Sequence, residues 1–273
     1  MHQIIKDQVT IPYLGLERTI RIYLPPNYEE NKSFPVIYMH DAQNLFDIET
    51  SSYGAIWDVH THLNDYYNQT GQGIIVVGID NYEGGFNRLD EYSPWINTEI
   101  KNNALLADIK EDVGGLGRDY IDFIVNELKP MIDIKYKTLS DREHTAMIGS
   151  SMGGLISLYA ATDYPEIFSK IGAFSTAVWF AEEELLYTIN KLDTSFPIKW
   201  YLDIGTNETS NDEYSEFNQL YLSGSKSVYQ TLKKKVSEPY LKFIIEDGGI
   251  HNERDWSRRF PEAIRFLFET PQN

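Results

Sequence analysis

The sequence of 273 residues contains no cysteine. Disulfide bonds, cysteine-ligated zinc sites and a thiol nucleophile are therefore all excluded. Basic residues are also scarce: 24 Lys and Arg are outnumbered by 41 Asp and Glu, so the formal net charge is −17. Because nucleic acids and anionic membranes bind basic surfaces, we expect neither of them to be a partner.

Long hydrophobic runs are absent too. No window approaches the roughly 18 uncharged apolar residues that a transmembrane helix needs. The amino-terminal residues show no basic region followed by an apolar stretch of signal-peptide length, so we expect a cytoplasmic protein. The composition, 42% hydrophobic and 24% charged, is that of a globular protein. Its length suits one large α/β domain, and we predict a single domain over residues 1–273, with homo-oligomerisation left open.

Short apolar runs between polar or glycine-rich turns predict the fold. Residues 4–12 and 17–24 alternate in polarity around Gly15, which predicts an antiparallel hairpin at a sheet edge. Six nearly uninterrupted apolar runs then alternate with helical stretches, as in a parallel sheet that helices cover on both faces. We therefore predict a doubly wound, mostly parallel α/β sheet. The six strands are predicted at 36–39, 73–79, 145–148, 171–174, 200–204 and 241–245, and the helices at 56–67, 117–133, 152–163, 181–191, 213–236 and 254–269.

Residues 81–118 do not follow this alternation. Much of the segment is rich in Gly, Asn, Ser and Pro and has no clear periodicity. Long irregular segments are uncommon in compact domains and are usually functional. We therefore expect residues 81–118 to cover or line a pocket.

A candidate nucleophile lies in the run Gly149-Ser150-Ser151-Met152-Gly153-Gly154, between a predicted strand and a predicted helix. A Gly-x-Ser-x-Gly sequence in this position forms a sharp turn that holds its central serine in a strained conformation. Small residues on both sides let the strand and helix backbones pass. The amino terminus of the helix directs its free N–H groups toward the reacting centre. We therefore predict Ser151 as the nucleophile.

A serine nucleophile needs a base and an acid that orients it. In hydrolases with this turn, the acid and then the base follow the serine in the chain, and His251 is the only histidine after Ser151. His251 lies in a glycine-rich turn after the last predicted strand. Glu208 is the first carboxylate past the strand 200–204, so we predict it as the acid. Asp203 lies within that strand, where we expect a structural role, and the candidates left open beside Glu208 are Asp212, Glu213 and Glu216 beyond it.

An oxyanion hole requires two backbone N–H donors. The residue after the nucleophile, Met152, is predicted to supply one. The polar turn after strand 36–39 is predicted to supply the other, from Gln43 or, as second choice, Ala42. In the same turn, the side chains of His40 and Asp41 are expected to shape the loop by hydrogen bonding. We also assign Asp41, together with Trp179, to the substrate-binding site.

These motifs jointly resemble the putative-esterase branch of the α/β-hydrolases, which includes esterase D, enterochelin esterases, feruloyl esterase modules of xylanases and mycobacterial mycolyltransferases. The resemblance covers nearly the whole chain. It implies serine carboxylester hydrolysis, with Ser151 as nucleophile, His251 as base, and Glu208 where feruloyl esterase modules have Asp after the same Gly-Thr-Asn. One departure is Ala42, where relatives commonly have Gly. The motifs are 38–47, 76–81, 88–92, 149–154, 205–208 and 248–253, with Trp256 and Arg259.

The sequence thus predicts a cofactor-free serine carboxylesterase that acts on small acyl esters, such as acetyl or feruloyl esters on sugars. The acidic balance disfavours a ferric siderophore substrate, because an anionic complex would require Arg or Lys in its pocket. The competing hypotheses are an acyltransferase of the same fold and a carbohydrate-binding relative without catalysis. No metal site is predicted: His60 and His62 lie two apart on a predicted helix and face away from each other.

Overall fold

The structure, a computed structural model, describes residues 3–30, 32–82, 87–102, 109–209 and 215–269. It begins with an antiparallel hairpin formed by β1 (Gln3–Ile11) and β2 (Leu16–Leu24), in which Ile11 pairs with Leu16. Gly15, in the turn, has φ 64°, a conformation that glycine adopts without a steric penalty. The predicted amino-terminal hairpin is therefore confirmed, with strand ends within one residue of the prediction.

The hairpin forms the edge of an eight-stranded sheet. Its six further strands are β3 (Val36–Met39), β4 (Ile75–Ile79), β7 (Thr145–Ser150), β8 (Lys170–Phe174), β9 (Lys199–Gly205) and β10 (Leu241–Glu246). The order across the sheet is β1-β2-β4-β3-β7-β8-β9-β10. β2 pairs antiparallel with β4, and every later pair in this sheet is parallel. The predicted mostly parallel α/β sheet is confirmed.

Helices cover both faces of the sheet. The main helices are α1 (Val59–Thr70), α3 (Gly117–Phe123), α4 (Lys129–Lys135), α5 (Met152–Asp163), α6 (Glu182–Asn190), α7 (Ser215–Lys233) and α8 (Glu253–Phe268), and a π-helical turn, Ile124–Leu128, joins α3 to α4. Because side chains alternate along a strand, Val36 and Tyr38 belong to one hydrophobic core, while Ile37 and Met39 belong to the other. The first core packs under α3–α7, and the second under α1 and α8.

The segment 81–118 contains more regular structure than its sequence predicts. Its described part includes the short helix α2 (Asn87–Glu91) and a two-stranded ribbon of β5 (Ile96–Asn97) and β6 (Val113–Gly114). A buried, two-hydrogen-bond ion pair between Arg18 and Glu91 ties α2 to the hairpin. The prediction that residues 81–118 cover or line a pocket also includes residues 83–86 and 103–108, which lie outside the described residues. Nowhere in the described chain is a helix both long and apolar enough to cross a membrane.

Candidate active site

Ser151 occupies the sharp turn between β7 and α5. Its backbone has φ 57° and ψ −123°, a sparsely populated region that costs a non-glycine residue about 1–3 kcal/mol. Two glycines allow the close passage of the backbones. A Cβ atom on Gly149 would lie 2.4 Å from the Gly153 carbonyl oxygen, and one on Gly154 would lie 2.6 Å from Thr176 Oγ1. The strained serine is therefore held by tight packing around it.

Glu208 and His251 meet in the loops that follow β9 and β10. The Nδ1 atom of His251 lies 2.7 Å from Glu208 Oε2, and the His251 backbone N–H donates to the Glu208 carbonyl oxygen. The carboxylate is buried and also accepts hydrogen bonds from the Gly205 N–H (2.6 Å) and the Ser175 hydroxyl (2.8 Å). These bonds orient the imidazole with a proton on Nδ1, which leaves Nε2 able to accept one.

Ser175, which the sequence analysis did not single out, supports this pair. It has φ 42° and follows β8 directly. Its hydroxyl donates to Glu208 and accepts hydrogen bonds from Trp256 Nε1 (2.9 Å) and Arg259 Nη2 (3.1 Å). Ser175 follows the carboxyl end of a predicted parallel strand, and this position could have indicated a site residue from the sequence. Asp203, for which a structural role is predicted, is fully buried and forms an ion pair with Arg259.

The His251 ring lies between two aromatic rings. Those of Trp256 and Tyr221 each have their centroid 4.9 Å from the imidazole centroid. Burial raises the pKa of Tyr221. Tyr221 was also missed by the sequence analysis, because its place beside the site depends on how α7 packs. Trp179 packs against Tyr221 and is not among the described residues that line the cavity of Ser151.

The loop after β3 contains both candidates for the second oxyanion donor. It begins at Asp41, in the left-handed region with φ 54°, and continues as a 3₁₀ turn, Ala42–Asn44. The Gln43 side chain is anchored by accepting a hydrogen bond from the Asn81 N–H at 3.2 Å. Gln43 and Met152 lie in the first turns of the 3₁₀ turn and of α5, where backbone N–H groups have no acceptor within their own helix. Both are therefore available to a ligand.

Ala42 does not crowd this loop. It is fully buried, and its methyl group packs toward Gly78 of β4, where an added Cβ atom would lie only 2.6 Å away. The methyl group is thus accommodated by a glycine on the neighbouring strand. This contact gives a physical reason why alanine is tolerated at this position.

Asp41 and Arg88 form an ion pair on the cavity wall. Arg88 Nε and Nη2 each lie 2.8 Å from a carboxylate oxygen of Asp41, and Asn81 Nδ2 donates to the same carboxylate at 2.6 Å. Burial would raise the pKa of Asp41, but the charge and hydrogen bonds of Arg88 outweigh it and hold that pKa below its usual value. Neighbouring His40 contacts the Tyr120 and Ser157 hydroxyls, and burial lowers its pKa to about 4. His40 is therefore neutral, with a structural role.

Ser151 and His251 line one cavity of about 270 Å³. Charged, amide and aromatic side chains share its wall, so it can accept a small substrate with both polar and apolar parts. Among the described residues, no group of three or more His, Asp or Glu side chains is arranged to hold a metal ion. The other lining residues are Asp41, Asn44, Tyr53, Trp57, Arg88, Ser150, Asn252, Glu253 and Trp256.

Comparison with known proteins identifies the family. A family model described as "Putative esterase" matches residues 11–267. The chain belongs to this esterase family. Over 253 residues, 92% of each chain, it is 30% identical to the uncharacterized protein YbbA of Bacillus subtilis strain 168. The esterase is a carboxylic ester hydrolase with the α/β-hydrolase fold, which confirms the predicted family, fold class and enzyme class.

Solved structures share the fold of this esterase. A ferulic acid esterase matches 98% of both chains at 18% identity, with a TM-score of 0.70. The siderophore hydrolase EstA from Aspergillus nidulans matches 97% of this chain and 94% of its own, at 17% identity and a TM-score of 0.76. At such identities the likeness concerns the fold and leaves the substrate to be argued from the cavity.

Proposed function

We propose that this esterase hydrolyses small acyl esters through a triad of Ser151, His251 and Glu208. The observation that carries the proposal is the 2.7 Å hydrogen bond between His251 Nδ1 and the buried Glu208 carboxylate. The His251 side chain also lines the same cavity as Ser151. The strained backbone of Ser151 also supports it, because a positive φ in a strand-to-helix turn is the conformation that presents a nucleophilic serine.

The reaction proceeds through an acyl-enzyme. Ser151 Oγ attacks the ester carbonyl while His251 Nε2 accepts the hydroxyl proton, and Glu208 stabilises the imidazolium that forms. The N–H groups of Met152 and Gln43 hold the oxyanion of the tetrahedral intermediate. His251 then donates its proton to the departing alcohol. Water, activated by the same imidazole, releases the acid and regenerates Ser151.

The cavity favours a small substrate. Its volume of about 270 Å³ lies below the usual range of drug-sized pockets, about 300–1,000 Å³. Trp57 and Trp256 add apolar surface to its wall, and Asn44 and Asn252 add polar side chains. Acetyl or feruloyl esters on sugars fit these properties. A ferric siderophore fits them less well, because Arg88 is already paired with Asp41.

The test is the turnover of p-nitrophenyl acetate and butyrate by Ser151→Ala. We expect kcat to fall by about 10³-fold or more, because the nucleophile is lost. The adjacent Ser150→Ala should lose less than about tenfold, and circular dichroism should show that both variants are folded. A fluorophosphonate should label the wild type stoichiometrically and leave Ser151→Ala unlabelled. Near-normal turnover by Ser151→Ala would refute the proposal.

The same assay separates hydrolysis from acyl transfer. When a sugar acceptor is added, a hydrolase continues to release the free acid, whereas an acyltransferase forms the acylated sugar instead. We expect the free acid as the main product. If the acylated sugar were the main product, the second half of the reaction would be acyl transfer and not hydrolysis. The proposed triad would be unaffected.

A further inference from the structure

Glu253 is a buried carboxyl group of the cavity that the proposed reaction does not use. It is the first residue of α8, is 3% exposed, and lines the cavity together with Ser151 and His251. Its Oε1 atom accepts a hydrogen bond from Asn44 Nδ2 at 3.2 Å. A substrate that occupies this cavity therefore lies close to the Glu253 carboxyl group.

Glu253 differs from the other charged groups of the cavity because it has no counterion. Asp41 and Arg88 neutralise each other through two hydrogen bonds. Among the ion pairs formed by the described residues, none includes Glu253. The cavity therefore has one carboxyl group whose charge depends on pH and is not cancelled locally.

Burial raises the pKa of Glu253 to about 7. A backbone hydrogen bond opposes the rise, the nearby charge of Asp41 adds to it, and the charge of Arg88 opposes it. The other titratable groups on the cavity wall are His251 and Tyr53. Glu253 is consequently protonated in mildly acidic solution and becomes ionised as the pH rises through neutrality.

We propose that Glu253 determines the charge specificity of this site: it admits uncharged, hydroxyl-bearing esters and rejects esters that carry a carboxylate. A hydroxyl group both donates and accepts hydrogen bonds, so it can pair with Glu253 in either protonation state. A substrate carboxylate can pair only with protonated Glu253, and ionised Glu253 repels it in a partly desolvated cavity. This inference rests on the proposed function, since it requires that the substrate occupies the cavity of Ser151.

The experiment compares two matched esters, 4-acetoxybenzoate and its methyl ester, between pH 6 and 8.5. The substrate carboxylate is ionised throughout, and any effect of pH that the two esters share cancels in the ratio of their kcat/KM values. The comparison with Glu253→Gln then assigns the remaining pH dependence of that ratio to Glu253. For the wild type, we expect the preference for the methyl ester to grow about tenfold across this range. For Glu253→Gln, which cannot ionise, the ratio should change by less than about twofold.

Two further variants serve as controls. Glu262→Gln removes one negative charge from the same helix, at an exposed side chain that pairs with Lys242, and should behave like the wild type. Glu253→Asp retains an ionisable group, so it should retain the pH-dependent ratio even if Glu253→Gln fails to fold. A wild-type ratio that is independent of pH, or a Glu253→Gln ratio that varies as the wild type does, would overturn the role of Glu253. Turnover that persists in Ser151→Ala would instead overturn the proposed function.

Discussion

At the scale of single residues, Glu208 is distinguished from the competing carboxylates by its partners. Its side chain accepts hydrogen bonds from Gly205 and Ser175 and contacts His251 Nδ1, whereas Asp203 pairs with Arg259. A buried carboxylate stays ionised only where such donors replace its water shell. Beyond β9, Glu216 lies exposed on α7, while Asp212 and Glu213 fall outside the described residues.

Replacement of Glu208 tests this assignment. Glu208→Gln should lower kcat by about 10²–10⁴-fold with little change in KM, because an amide cannot stabilise the imidazolium and favours the wrong tautomer of His251. Glu216→Gln, the matched change at an exposed glutamate, should stay within about twofold of the wild type. Steady-state kinetics with p-nitrophenyl butyrate provide the measurement. A larger loss in Glu216→Gln than in Glu208→Gln would contradict the proposed acid.

At the scale of elements, the β7–α5 turn shows how packing maintains a strained residue. Gly149, at the end of the strand, lies against the Gly153 backbone in the first turn of the helix. A side chain on Gly149 would therefore push the helix away from the strand. By contrast, a Cβ atom on Gly153 meets its nearest neighbour, His40 Cβ, at 3.4 Å, which is an ordinary contact distance.

Alanine substitution at the two glycines should separate these effects. Gly149→Ala should lower the free energy of unfolding by about 2–3 kcal/mol, because the overlap involves backbone atoms that cannot move aside. Gly153→Ala should change it by less than about 1 kcal/mol, since the higher helix propensity of alanine offsets the added contact. Urea denaturation measures both values. Equal destabilisation would show that the turn is not held in this way.

At the scale of the whole molecule, parallel strands bring distant parts of the chain to one edge. The loops after β3, β7, β9 and β10 follow the carboxyl ends of parallel strands, so they lie on the same side of the sheet. Asp41, Ser151, Glu208 and His251 come from these four loops. The candidate active site is therefore a consequence of strand direction and strand order.

The excess of acidic residues gives the whole molecule a negative charge that should affect how charged substrates approach it. With a net charge of −17, the molecule should repel an anionic ester, and salt should screen that repulsion. Raising NaCl from about 20 to 300 mM should increase kcat/KM for 4-acetoxybenzoate about two- to fivefold and leave the methyl ester unchanged. Because Glu253→Gln removes a single charge, it should keep this salt dependence. An equal response of both esters would exclude long-range repulsion as the cause.

The sequence by itself determined the sheet, because buried parallel strands require uninterrupted apolar runs and their turns require glycine and polar residues. It also determined where Ser151 lies, since a strand-to-helix turn with flanking glycines is a local pattern. Only the tertiary structure decided the partners, because Ser175, Tyr221 and Glu253 acquire their places through contacts between elements far apart in the chain. The charge of a carboxyl group depends on its burial and on whether a counterion is near, and both of these are set only when the chain is packed.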